Sequence, residues 1–248
     1  MRRLAPLIVL IALAAPAVAH AQAPPLRAKV SACSSGPLPT DRLAAFTGSM
    51  PSIAGSRRMW MRFDVLARTG TAKAYVPLKV PGLGVWQKSA PGHPAGFVFT
   101  QRVQALAAPG SYKAVIRFRW YGKTGKLLRS TSRQTPICKQ PDWRPDLQAG
   151  ALDASPGPGI GQATYTLVVR NAGRGAAGPF DVLLGGAGSD QPTQRVTGLQ
   201  PGASVTLIFA APRCTPGSTL RVTVDARGEI AEGTESDDTV ERTCPLAE

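Results

Sequence analysis

Residues 112–120 place Tyr112, Ala114, Ile116, Phe118 and Trp120 on one side of an extended chain, and Lys113, Arg117 and Arg119 mostly on the other. An apolar period of two is the mark of a half-buried β-strand. The same alternation recurs at Met59, Met61, Phe63 and Val65, and shorter extended runs follow at 96–103, 127–133, 163–170, 179–184, 203–209 and 220–225. Residues 74–80 are apolar but contain Pro77, which suits an edge strand or a loop because proline cannot donate to a ladder. Gly and Pro, 26 and 23 of the 248 residues, separate these runs into short segments, and no long amphipathic helix is visible. Strands of about six residues with turns every eight to twelve predict an antiparallel, all-β sandwich architecture.

The start of the chain bears on compartment. Arg2 and Arg3 precede an apolar stretch at 4–18, followed by the small residues Ala19, Ala21 and Ala23. That order predicts a secretory signal peptide over residues 1–23, cleaved after Ala21 or Ala23. The apolar core is roughly 15 residues, below the ~20 needed to span a bilayer, and Pro6 and Pro16 interrupt it. No later segment is long and apolar enough to span. The first cysteine, Cys33, lies beyond the cleavage point, so no lipoprotein anchor is expected, and no sortase-like motif precedes Glu248. The expected location is secreted, extracellular or envelope-associated.

After the leader, the length suits two domains, and the chain holds Cys33, Cys138, Cys214 and Cys244. An even cysteine count in an exported chain predicts disulfides rather than thiol metal ligands, and no CxxC spacing is present. With two domains, Cys33–Cys138 plus Cys214–Cys244 is the pairing that keeps each bond within one domain. Charge divides at the same place. Residues 24–142 hold 19 Lys and Arg against 3 Asp and Glu, whereas residues 143–248 hold 8 against 12. The expected organisation is a basic β-sandwich module at 25–138, a proline-containing linker at 139–146, and a mildly acidic β-sandwich module at 147–248.

Five segments of the second half occur in a recognisable order: 144–147 (Arg-Pro-Asp-Leu), 164–173 (Thr-Tyr-Thr-Leu-Val-Val-Arg-Asn-Ala-Gly), 176–182, 199–204 and 224–239. Together they resemble CARDB, the cell-adhesion-related domain found in bacteria, over about residues 145–244. The resemblance implies an immunoglobulin-like β-sandwich on an exported bacterial protein and no particular ligand. Asp237 and Asp238 stand where the family usually has two asparagines; carboxylates accept hydrogen bonds but cannot donate them, so the local network must differ. In the first half, Pro109-Gly110-Ser111-Tyr112 resembles the turn before a late strand of fibronectin-type and immunoglobulin-like domains, where a tyrosine hydroxyl closes a corner. The expected fold is two immunoglobulin-like antiparallel β-sandwich domains in tandem, each with one disulfide.

Catalytic chemistry finds little material. His93 is the one histidine after the leader, in a Pro/Gly loop, and no GxSxG, HExxH, Walker or dinucleotide pattern occurs. Asp41 and Asp64 are the acids of the first module, and Asp64 among Arg57, Arg58 and Arg62 reads as an ion pair rather than half of a glycosidase pair. No enzyme is expected, and no catalytic residue. The acidic run Asp225, Glu229, Glu232, Glu235, Asp237, Asp238 and Glu241 could hold calcium, a hard ion that takes six to eight oxygens, with Asp225, Glu232, Glu235, Asp237 and Asp238 as ligands. Its other reading is a solvated hairpin that protects a sheet edge. The sharper lead is a cationic surface: Arg57, Arg58, Arg62 and Arg68 about one strand, and Lys113, Arg117, Arg119, Lys123, Lys126, Arg129 and Arg133 about one hairpin, with Trp60, Trp86, Trp120 and Tyr121 for stacking. An exported chain with this surface is expected to bind an anionic cell-surface polymer or another envelope protein, not cytoplasmic nucleic acid. A structural or assembly subunit with no ligand of its own is the alternative.

Overall fold

A computed structural model of the protein describes residues 23–92, 95–187 and 191–246. The expected leader, apart from Ala23, and His93 lie outside the described residues. The first half folds as β1 (Arg27–Ser34), β2 (Leu43–Pro51), β3 (Arg58–Thr69), β4 (Val76–Pro77), β5 (Trp86–Lys88), β6 (Gly96–Gln104), β7 (Gly110–Tyr121), β8 (Leu127–Gln134) and β9 (Cys138–Gln140). The second half contributes β10 (Leu147–Pro156), β11 (Gln162–Asn171), β12 (Phe180–Gly185), β13 (Thr193–Val196), β14 (Ser204–Pro212), β15 (Thr219–Val224) and β16 (Thr239–Thr243). Among the described residues the one helical element is a single 3-10 turn at Pro39–Asp41, and no helix is long and apolar enough to cross a membrane.

Both halves use one plan. In the first, β1-β2-β6 forms one sheet and β4-β3-β7-β8 the other, with β5 paired to β3 and β9 to β7. In the second, β10-β11-β14 faces β13-β12-β15-β16. Counting principal strands, the first, second and fifth pair in one sheet, and the fourth, third, sixth and seventh in the other. All pairings are antiparallel. These are two immunoglobulin-like sandwiches in tandem.

The first core lies between Phe46 and Met50 of β2, Met59, Met61 and Phe63 of β3, and Ile116, Phe118 and Trp120 of β7. Glycine at 48 is a packing requirement: a Cβ there would sit 2.8 Å from the Met61 sulfur and 3.1 Å from Ile116. The second core gathers Leu147, Tyr165, Leu167, Phe180, Val182, Phe209, Leu220 and Val222. Each sandwich is tied across its sheets by one disulfide, Cys33–Cys138 between β1 and β9 and Cys214–Cys244 beyond the ends of β14 and β16. Residues 139 and 140, expected as linker, pair with β7 and so belong to the first sandwich, while the Asp146 backbone is already bonded to the second sandwich through Asn171 and Ala172.

Tyr112 is buried and its hydroxyl donates to the Ala107 carbonyl at 2.8 Å, which forms the corner. Burial raises its phenol pKa above the ordinary value. Tyr112→Phe keeps the ring but leaves the Ala107 carbonyl without this donor. The expected loss is about 1 kcal/mol, read as a lower denaturation midpoint of the first sandwich. An unchanged midpoint would show that water replaces the hydroxyl at no cost.

Candidate anion-binding face and acidic loop

Alternation along β3 and β7 builds the first site. It sends Arg58, Trp60, Arg62, Asp64 and Arg68 of β3, and Lys113, Arg117, Arg119 and Tyr121 of β7, away from the core. Strand β5 pairs Trp86 opposite Arg62 and Lys88 opposite Trp60, so both join the same face. Trp60 is central, its ring 4.6 Å from Tyr121 and 6.2 Å from Trp86. The Lys88 ammonium lies 4.6 Å from the centre of the Trp60 ring, and the Arg119 guanidinium 4.3 Å from that of Trp86. Further along, Lys113 and Arg68 stand 4.2 and 5.1 Å over Tyr75. Such cation–π contacts pre-orient cationic heads without neutralising them.

Asp64 is the one acid at these positions. Its two oxygens accept from Arg62 at 2.8 Å and Arg117 at 2.7 Å, so the ion pair expected with Arg62 is joined across the strand by Arg117. At the hairpin end, Arg57, Arg58, Trp60, Tyr121 and Lys123 line an open recess of about 790 Å³. Lys113, Arg117 and Arg119 share one face, as the alternation requires.

Two expectations for this surface need correction. Trp120 is 1% exposed and its indole Nε1 donates to the Pro51 carbonyl at 2.7 Å; it is core, not a stacking platform. Arg129 pairs opposite Trp120 and Arg133 opposite Ile116, which places both on the inward side of the overhanging β8 edge, away from Arg117 and Arg119. Lys126 sits in the turn before β8 and does not line the recess. Sequence reading missed Lys88 and Tyr75, because only the pairing of β4 and β5 with β3 brings their short segments to this face.

The acidic run divides by role. Glu229 and Glu241 pair with Arg195 and Arg221. Asp225, at φ 47°, accepts the Glu229 and Ile230 backbone N–H groups at 3.0 and 2.8 Å and shapes the loop leaving β15. Glu235 accepts the Glu232 N–H at 3.1 Å. Asp237 accepts the Gln148 side-chain amide at 2.8 Å, so at this position the departure from asparagine is met by a donor from β10.

Glu232 and Asp238 are not solvated: they are 1% and 8% exposed. The Leu147 N–H donates to one Glu232 oxygen. The other, Glu232 Oε1, is buried with no hydrogen-bond partner, as are Asp146 Oδ1, Asp237 Oδ1 and Asp238 Oδ1. Burial, reinforced by neighbouring carboxylates, pushes Glu232 and Asp238 up to about 7. Asp146 was missed as a member of this group, since it precedes the run by 79 residues. Among the described residues no three acidic, His or Cys side chains already stand in metal-holding geometry.

Asn171, wholly buried, anchors the same end of the sandwich. Its amide donates to the Gly175 and Leu199 carbonyls at 2.8 and 2.9 Å, and its oxygen accepts from Gly173 and Asp146 N–H at 3.0 and 3.2 Å.

Among solved structures, the chain is similar to a class 5 fimbriae chaperone, CfaA, at 12% identity over 89% of this chain and 100% of that one, with a TM-score of 0.27. It is also similar to the Amycolatopsis orientalis exo-chitosanase CsxA, at 16% identity over 82% of this chain and 25% of that one, TM-score 0.27. Likenesses this low carry no functional weight. No curated protein matches the sequence. Residues 144–242, which hold β10 through nearly all of β16, the Asn171 anchor and the buried carboxylates, match the CARDB family model, so the second sandwich is a CARDB domain.

Proposed function

We propose that the protein is a non-enzymatic binding protein of the bacterial cell surface, in which the basic face of the first sandwich contacts an anionic polymer and the CARDB domain serves as spacer or docking unit. The observation that carries this reading is the outer face of β5, β3 and β7: seven cations (Arg58, Arg62, Arg68, Lys88, Lys113, Arg117 and Arg119) with one acid, set about the row Trp86, Trp60 and Tyr121. A field of one sign over a broad, shallow face suits an extended polyanion better than a small molecule, which needs an enclosed pocket. The cysteine bonds are consistent with an oxidising, extracytoplasmic location.

The test is titration of the full chain with dextran sulfate, using uncharged dextran as control. If six or more cations engage, affinity falls roughly 10³-fold between 50 and 200 mM salt. Arg58→Glu with Arg119→Glu weakens binding, whereas Arg129→Glu, on the other side of the sheet, changes it much less. Binding that is absent at low salt, or indifferent to salt, overturns the reading.

One observation favours the alternative of an assembly subunit. Strand β8 is an open edge eight residues long with Leu127 and Leu128 46% and 43% exposed, a surface suited to strand addition. Self-association at micromolar concentration without polyanion, abolished by proline in β8, would select it.

A further inference from the structure

We propose that Asp146, Glu232, Asp237 and Asp238 form a cage for a divalent cation of the calcium type, which fastens the loop between β15 and β16 to the start of β10. The inference is independent of the anionic-polymer reading, which concerns the other sandwich.

The observation is four carboxylate oxygens, one from each residue, all buried and all without a hydrogen-bond partner. Two of the parent side chains are more than nine-tenths buried. None of the ion pairs among the described residues reaches them: the paired acids are Asp64, Asp142, Asp153, Asp181, Glu229 and Glu241. Burying a carboxylate without a partner is costly, so something must supply positive charge. Among the described residues no Lys or Arg pairs with them, and Arg144 and Arg242, close in sequence to the two ends of the segment, are engaged with Asp142 and Asp153.

Backbone bonds already draw Asp146, Glu232 and Asp237 together, and Asp238 follows next in the chain, within electrostatic reach of Asp146 and Asp237. Gly233 N–H donates to the Pro145 carbonyl at 2.9 Å, Ala149 N–H to the Asp237 carbonyl at 3.0 Å, and Leu147 N–H to Glu232. The Gln148 amide lies 2.8 Å from Asp237 Oδ2 and 3.5 Å from Asp146 Oδ2, which brings these two carboxylates to one nitrogen. A Cβ at Gly233 would stand in ordinary contact with Asp146 Oδ1, at 3.7 Å, which sets this part of the loop beside the Asp146 carboxylate. The donors are all oxygen, the set a hard ion takes, and calcium tolerates the irregular geometry that a loop provides. Because no three carboxylates yet stand in metal-holding geometry, binding must rotate side chains inward, and modest affinity is expected. Asp225 is excluded, since both its oxygens hold backbone N–H groups.

A proton is the competing source of charge. Glu232 and Asp238, held near 7, could take one at neutral pH. The experiment therefore uses the full chain freed of ions with EDTA, titrated with calcium chloride at pH 8 by calorimetry and followed by thermal unfolding. The expected result is one saturable site of sub-millimolar to millimolar affinity, a rise of several degrees in the unfolding of the CARDB domain, and protection of residues 225–238 from hydrogen exchange. Asp146→Asn and Glu232→Gln lower the affinity about tenfold or more. Each variant unfolds in EDTA at or above the wild-type temperature, because it removes an unpartnered charge; this separates lost ligation from lost folding. No heat and no shift at 10 mM calcium overturns the proposal. So does stabilisation by acid alone, or calcium binding unaltered by both variants.

Discussion

Removing the Cys33–Cys138 bond, as Cys33→Ser with Cys138→Ala, is expected to lower the stability of the first sandwich by about 4–5 kcal/mol. The bond closes a loop of 105 residues that spans almost the whole module, and loop-closure entropy grows with loop length. It also joins β1 of one sheet to β9 of the other, so its loss frees both ends of the module. The Cys214–Cys244 loop is shorter, with a separation of 30, and its removal should cost about 3.6 kcal/mol by the same relation. Against a typical domain stability of about 5–15 kcal/mol, the first loss is large enough to leave the module partly unfolded at 37 °C. Urea unfolding with hydrogen exchange read separately over residues 25–140 and 144–246 would show it. The second sandwich should keep its protection in the first variant. An unchanged midpoint for residues 25–140 would mean that the apolar core suffices without the bond.

Asn171→Leu is expected to cost on the order of 4 kcal/mol in the CARDB domain. The side chain satisfies four backbone groups, at residues 146, 173, 175 and 199, in a site with no exposure. Each loses a buried partner at about 1 kcal/mol or more, and leucine offers none in return. Asn171→Asp is the informative companion. It keeps the acceptor toward Gly173 and Asp146 but loses both donors and adds a charge beside an already acidic end, so it should also destabilise. A smaller loss for Asp than for Leu would place the energy in the accepted bonds; equal losses would place it in the donated ones. A wild-type midpoint for Asn171→Leu would remove the anchor role altogether.

The strands that were legible in sequence are those with one face in the core and one in water. β3 and β7 alternate without a break, and every residue assigned to their inward faces is buried, with Ala67 added at the end of β3. β2 was not legible because it is central and five successive residues, Ala44 to Gly48, are buried, with no period to detect. In β10 the register shifts between Ala149 and Leu152, so the alternation slips midway. β16 is short and lies in the acidic run, where its charges suggest a solvated turn.

Strand patterning, turn placement and cysteine count are local properties, and by themselves they determined the all-β class, the tandem sandwiches and the disulfide pairing. The motifs at 144–239 likewise identified the CARDB domain before any coordinates. Charge placement was decided by tertiary structure. Strand register put Arg119 beside Trp86 but turned Arg129 to the other side. Long-range approach brought the start of β10 against a loop 85 residues on, where Leu147 N–H meets Glu232, and removed water from Glu232 and Asp238. The physical reason is that desolvation depends on what packs around a group. An acidic run reads the same in sequence whether its carboxylates face water or each other.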